Sequence, residues 1–134
     1  MTRLHLAFGL AVAVSAVGLQ AQVPLEANIP FEFRMGQTSF PSGDYVFQYT
    51  TQLVTVQARE GHRSMAMAMM LPVSRSKAPE TSVLQFHRYG DVYFLSSIFM
   101  AGSPEGAGLA KSAHEKELAK LTKPRDLEVA LRTK

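Results

Sequence analysis

From Ala27 to Met35, apolar and polar side chains take turns. Ala27, Ile29, Phe31, Phe33 and Met35 fall on one side of an extended chain, and Asn28, Pro30, Glu32 and Arg34 on the other. A period of two marks a half-buried β-strand. Pro30 cannot donate to a ladder, so this strand is expected at an edge or paired on one side there. Phe40-Pro41-Ser42-Gly43-Asp44 reads as a turn, because proline presets φ and glycine takes the angles other residues resist. Tyr45, Phe47 and Tyr49 then alternate along a second strand, and Val54, Val56 and Ala58 along a third. Glu60-Gly61 signals the next turn. Met65, Met67, Met69 and Leu71 share one face of the strand after it, with Ala66, Ala68 and Met70 opposite. Pro72–Thr81 is polar and patternless and is expected as a loop. Ala101–Gly108 (AGSPEGAG) is expected as a flexible one.

Between these loops, Val83–Tyr89 and Val92–Met100 predict a hairpin. Gly90-Asp91 occupies the two centre positions of a loop that suits the primed turns, whose twist matches that of the strands. Tyr89 then faces Val92, Arg88 faces Tyr93 and His87 faces Phe94. Phe94 and Ile98 lie opposite Leu95 and Phe99, so neither face is simply wet, and a helix is expected over one of them.

The period changes after Leu109. Ala110, Ala113, Leu118 and Leu121 predict one helix, and Ser112 with Glu115 resembles a capping box that would start it. Pro124 ends it. Leu127, Val129 and Leu131 alternate again and favour a last strand over a short helix across 125–133. The reading is mainly β: about seven strands in an antiparallel sandwich or partly open barrel, with one C-terminal helix.

The segments IPFEFRMG, FPSGDYVF, SKAPETSVLQFHRYGDVYFLSSIF and KSAHEKELA, in this order, resemble a family of small secreted bacterial proteins of unknown function. HRYGDVYFLS is the most specific piece, and the resemblance runs from about Asn28 to the helix. It implies a compact β-rich extracytoplasmic domain and no particular activity. The chain departs from the family at Met65–Met70, where ordinary aliphatic residues are the pattern.

The first residues carry a different message. Arg3 precedes an uncharged apolar run, Leu6–Leu19, which is the layout of a secretory signal peptide. Cleavage is expected after Ala21, with Gly18 as the alternative, leaving a single β-rich domain from Gln22 to Lys134. The run is shorter than the ~20 residues of a spanning helix, so no stable membrane anchor is expected after cleavage. The location expected is periplasmic or secreted. There is no cysteine, which excludes disulfides, thiol catalysis and an acylated-cysteine anchor. The formal charge is +3, but the basic residues are dispersed among acidic ones, which argues against nucleic acid as a partner.

Candidate chemistry is sparse. His87, Arg88 and Tyr93 are weak binding candidates. Alternation puts His87 and Arg88 on opposite faces, Asp91 is explained by the turn, and Arg88 is expected to stack on Tyr93. His87 is expected as a hydrogen-bonded histidine under the helix. A serine hydrolase built from Ser96 or Ser97 with His87 and Asp91 lacks the G-x-S-x-G elbow and an oriented triad. Met65, Met67, Met69 and Met70 with His62 invite a Cu(I) reading, since thioethers are soft ligands. Filling of the core by these methionines is the expected role. His62, His87 and His114 have no zinc-ligand spacing, so neither a metal site nor a cofactor is expected. The function expected is a non-enzymatic binding or envelope-associated structural module with an envelope or extracellular partner. A carrier of Cu(I) or a small molecule is the alternative, and a hydrolase the third.

Overall fold

The computed structural model describes residues 24–50, 52–59 and 65–133, with the Met65 side chain left aside. The expected signal peptide and its cleavage point, the Glu60-Gly61 turn and His62 lie outside the described residues. In chain order the elements are β1 (Leu25–Ile29), β2 (Phe33–Met35), β3 (Thr38–Phe40), β4 (Gly43–Tyr49), β5 (Leu53–Ala58) and β6 (Met65–Ser74). They continue with β7 (Val83–Tyr89), β8 (Val92–Phe99), β9 (Glu105–Leu109), α1 (Ala113–Leu121), β10 (Arg125–Ala130) and β11 (Arg132–Thr133). The protein is mainly β with one helix among the described residues, but its strands outnumber the seven expected. The extra ones come from a first strand that breaks at Pro30-Phe31-Glu32, from the short β3 and β11, and from β9. No helix among the described residues is long and apolar enough to cross a membrane.

The strands run in the order β10-β7-β8-β9-β6-β5-β4-β1-β11, with β2 branching off to pair with β3 and β8. Arg34 of β2 meets Phe94 of β8 in parallel, so the sheet is mixed and not wholly antiparallel as expected. It is not closed into a barrel. Two segments turn the corners. β6 pairs with β5 through Met65–Met69 and with β9 through Met70–Ser74. The C-terminal segment pairs with β7 through β10 and then, past Leu131, with β1 through β11. Leu131 is buried at that corner.

Alternation decides what lies inside. Leu25, Ala27 and Ile29 of β1, Tyr45 and Phe47 of β4, and Val54 and Val56 of β5 point into one core with Leu84, Phe86, Leu95 and Ile98 of the hairpin. Phe33 stands among aromatic rings. Its ring is stacked 5.0 Å from Phe40 and meets Tyr45 and Phe86 edge-on at 5.1 and 5.6 Å. Such pairs add to the area each ring removes from water.

The stretch expected as a flexible loop contains β9, and its glycines explain both the strand and the misreading. A Cβ at Gly106 would sit 2.5 Å from the Ile98 carbonyl oxygen and 2.6 Å from Phe99 Cδ1. One at Gly108 would sit 2.6 Å from Val73 Cγ1. Both glycines let neighbouring chains approach closely, which is the positional meaning glycine has inside a strand. Likewise β6 runs on through Pro72, which pairs with Ala107, so the expected loop begins only after Ser74.

Gly106→Ala is expected to cost roughly 1–3 kcal/mol, since the backbone of β8 must move to admit a methyl group. Gly102→Ala, at a tip with open space around it, bears only the strain of its positive φ of 78°. Urea unfolding of the two variants checks the order: Gly106→Ala should lose more.

Candidate functional site

The polar cluster under α1 starts from the β7–β8 hairpin. Gly90 takes φ 60° while Asp91 keeps a negative φ, the signature of a turn with glycine first. The register near the tip is the expected one: Tyr89 faces Val92, Arg88 faces Tyr93 and His87 faces Phe94. Further from the tip the strands slip. Phe86 faces Leu95 but Gln85 faces Ser97, so Ser96 is an extra residue on β8. Such a bulge re-aims a side chain. Here it leaves Ser96 Oγ 3.2 Å from His87 Nε2, while Ser97 Oγ donates to Gln85 Oε1.

The helix brings the missing acid. Ser112 caps its N-terminus, its hydroxyl accepting from the Glu115 backbone N–H at 3.2 Å. The reciprocal half of a capping box is absent, because the Glu115 carboxylate turns the other way, down onto the hairpin. Its Oε2 is 2.9 Å from His87 Nδ1 and accepts from the Tyr89 hydroxyl at 2.8 Å. Glu115 is only 4% exposed. The expected apolar stripe is not what docks this helix: Leu121 is 84% exposed. Besides Glu115, His114 packs edge-on against Phe94 at 5.6 Å and approaches Arg34 Nη1 at 3.3 Å.

An ionised carboxylate only accepts, so His87 carries its proton on Nδ1 and donates to Glu115. In the neutral imidazole Nε2 is then an acceptor for the Ser96 hydroxyl. Asp126 of β10, directly opposite His87 in the ladder, places Oδ1 3.5 Å from the same Nε2 but is mostly exposed. Burial alone would raise the Glu115 carboxyl. Hydrogen bonds from His87 and Tyr89, with the nearby positive charge of Lys111, instead hold it below its ordinary value. Tyr89 is pushed up to about 12, first by burial and then by the bond to Glu115 and the charges of Glu115 and Asp126.

The three residues singled out from sequence are divided by the hairpin. His87 faces α1, as expected. Arg88 and Tyr93 lie on the other face, the guanidinium 5.5 Å from the Tyr93 ring centre and its Nε donating to the Gly90 carbonyl at 2.7 Å. Phe31 stacks on Tyr93 at 4.0 Å. Glu115, Tyr89 and Asp126 escaped the sequence reading, and the one available hint was an acid at the capping position of a helix with a poor apolar stripe. Glu115 and Asp126 approach opposite nitrogens of one ring, so they cannot share an ion with it. Among the described residues no group of three or more His, Asp or Glu side chains is placed to hold a metal.

Two other features stand apart. A groove of about 540 Å³ opens beside Tyr49, Val73, Ser103 and Glu105, and none of the cluster residues lines it. On β6, Met67 and Met69 are 63% and 79% exposed, which corrects the expectation that they fill the core; Met70 is the buried one. Alternation separates the two faces of a strand without saying which is inward. The inner face took Ala66, Ala68 and Met70.

Comparison of the chain with protein-family models, with curated proteins and with solved structures gave no match.

Replacing Glu115 by Gln is expected to destabilise the fold by roughly 1–3 kcal/mol, since the buried Tyr89 hydroxyl and the half-buried His87 then share a neutral amide. The pH profile has a definite shape. The folded carboxyl of Glu115 lies below its ordinary 4.5, so its contribution is present above that value and lost as pH falls through the lower one. Tyr89 is raised from 10.0 to about 12, so its contribution is present below 10.0 and lost as pH climbs through that interval. Urea midpoints measured across pH should show both limbs in the native protein. Glu115→Gln should remove the part of the acid limb that belongs to this carboxyl.

Proposed function

We propose that the protein is an extracytoplasmic binding or envelope-associated structural module that docks a partner protein on the outward face of β5 and β6. The observation that carries this reading is a contiguous exposed apolar row. Met67, Met69 and Leu71 (55% exposed) follow one another on β6, and Leu53 (37% exposed) lies directly across from Met69. Exposed apolar side chains that adjoin are worth explaining where single ones are not. Methionine suits such a surface because its unbranched thioether adapts to the shape of what it meets. The neighbouring outward positions are uncharged: Thr55 across from Met67, and Gln48 across from Thr55. An anionic lipid surface would call for lysine and arginine around the row, so the occupant of this face is a protein with an apolar patch of its own. The resemblance to small secreted proteins supplies the extracytoplasmic setting and belongs to the same proposal.

A second reading, a carrier of a soft metal, draws on the same exposure. Met67 and Met69 present two thioethers to solvent about 7 Å apart along the strand. Met67→Leu with Met69→Leu separates the two, because it keeps the apolar surface and removes both sulfurs.

A photo-crosslinking residue placed at position 71, on the same row, is expected to give one discrete adduct in cells. The same residue at Lys116, exposed on α1, should give none. The adduct should survive the double leucine change and vanish when Met67 becomes Glu, with the melting temperature little changed. Identical adduct patterns from both positions would discard the docking face. Loss of the adduct in the leucine pair, together with Cu(I) competition against a chelator by the native protein, would move the assignment to a metal carrier.

A further inference from the structure

The geometry points to an acyl-transfer site at the hairpin bulge, in which Ser96 is the nucleophile, His87 its general base and Glu115 the residue that positions His87. It would act on small neutral or cationic carboxylic esters. This inference is independent of the apolar face of β5 and β6. The hydrolase weighed from sequence lacked a G-x-S-x-G elbow and an oriented triad, and the acid it had at hand, Asp91, sits at the exposed hairpin tip. The acid that meets His87 comes from α1 instead.

Three observations carry it. The nitrogens are used in the order a serine nucleophile requires: Nδ1 to the buried carboxylate at 2.9 Å and Nε2 to the serine hydroxyl at 3.2 Å. The carboxylate is fixed by a second donor, Tyr89, and its helix is capped by Ser112, so the imidazole is held in one orientation and one tautomer. The serine end is the open end. Glu115 is enclosed, whereas the His87 side chain is 22% exposed and Ser96 is half-buried, so solvent reaches the serine end and not the carboxylate end. Ser96 does not line the groove beside Tyr49, so that groove offers no binding for a long acyl chain, and a small acyl group is the one the site would take. The Asp126 carboxylate 3.5 Å from Nε2 disfavours an anionic substrate and supports the imidazolium that forms.

The step balances with an ester and water. As Ser96 Oγ bonds to the carbonyl carbon, its proton passes to His87 Nε2. The tetrahedral species collapses, the carbon–oxygen bond to the alcohol breaks, and Nε2 returns the proton to the departing alkoxide. Water attacks the acyl-serine by the same route and releases the carboxylic acid.

The test uses a fluorophosphonate, which phosphonylates an activated serine with loss of fluoride, and p-nitrophenyl acetate as ester. Intact mass should show one adduct on the native protein, mapped to the peptide containing Ser96. Ser96→Ala should abolish both the adduct and ester turnover. His87→Ala should slow labelling by about 100-fold or more, in the range a general base supplies, and added imidazole should restore part of it. Asp91→Asn, at the hairpin tip, should label at the native rate. Glu115→Gln should slow labelling while its CD spectrum stays native. If it does not fold, the imidazole rescue of His87→Ala still decides the role of the base. Absence of an adduct on the natively folded protein, an adduct on a serine other than Ser96, or turnover unchanged in Ser96→Ala would each overturn the assignment.

Discussion

One buried carboxylate, that of Glu115, ties the only helix described to the sheet. A charge with 4% exposure is costly to bury unless every lone pair it turns inward is used. Here two hairpin donors, Tyr89 Oη and His87 Nδ1, converge on the same oxygen. The helix has little else to hold it. It is nine residues long, short of what is stable alone in water, and several of its apolar side chains face solvent. Its place is therefore set by hydrogen bonds of fixed direction more than by apolar contact, whose direction is loose. That in turn fixes the tautomer of His87 and hands Nε2 to Ser96.

The bulge at Ser96 completes the arrangement. In an unbroken ladder Gln85 would face Ser96. The slip by one residue gives that partner to Ser97 and frees Ser96 to approach His87. Local disruption of a ladder costs stability, and bulges gather where a side chain has to be aimed. The polar cluster and the exposed methionine row lie on different strands, β7–β8 and β5–β6, and share no residue. A change in one can be made without touching the other.

How far all this could be seen in the sequence follows from range. The hairpin was legible because Gly90-Asp91 sets its register locally and alternation sets its faces. The helix start was legible from Ser112. A histidine under the helix was expected too, but the identity of partners distant in the chain was not legible. Gly106 and Gly108 looked like flexibility because the atoms that forbid a side chain there belong to β6 and β8. Met67 and Met69 looked like core because a strand with apolar residues on both sides does not reveal which side is inward. The Glu115–His87 contact spans 28 positions and leaves no periodic trace. The bulge is a mismatch in length between two strands, and neither strand shows it alone.

The two ends of the described chain meet. Leu25 of β1 pairs with Thr133 of β11, and the segment just before β11 zips onto β7. Loop-closure entropy is heaviest for contacts of this separation, and they form late. During synthesis, which runs from the N-terminal side, β1 can find β4 early, but its other edge stays open until the segment 125–133 has been made. The same segment covers the outer edge of β7, where His87 stands. Completion of both pairings, and with it the setting of Asp126 against His87, thus waits on a single late event, so that a nascent chain remains a half-finished template until the segment 125–133 arrives.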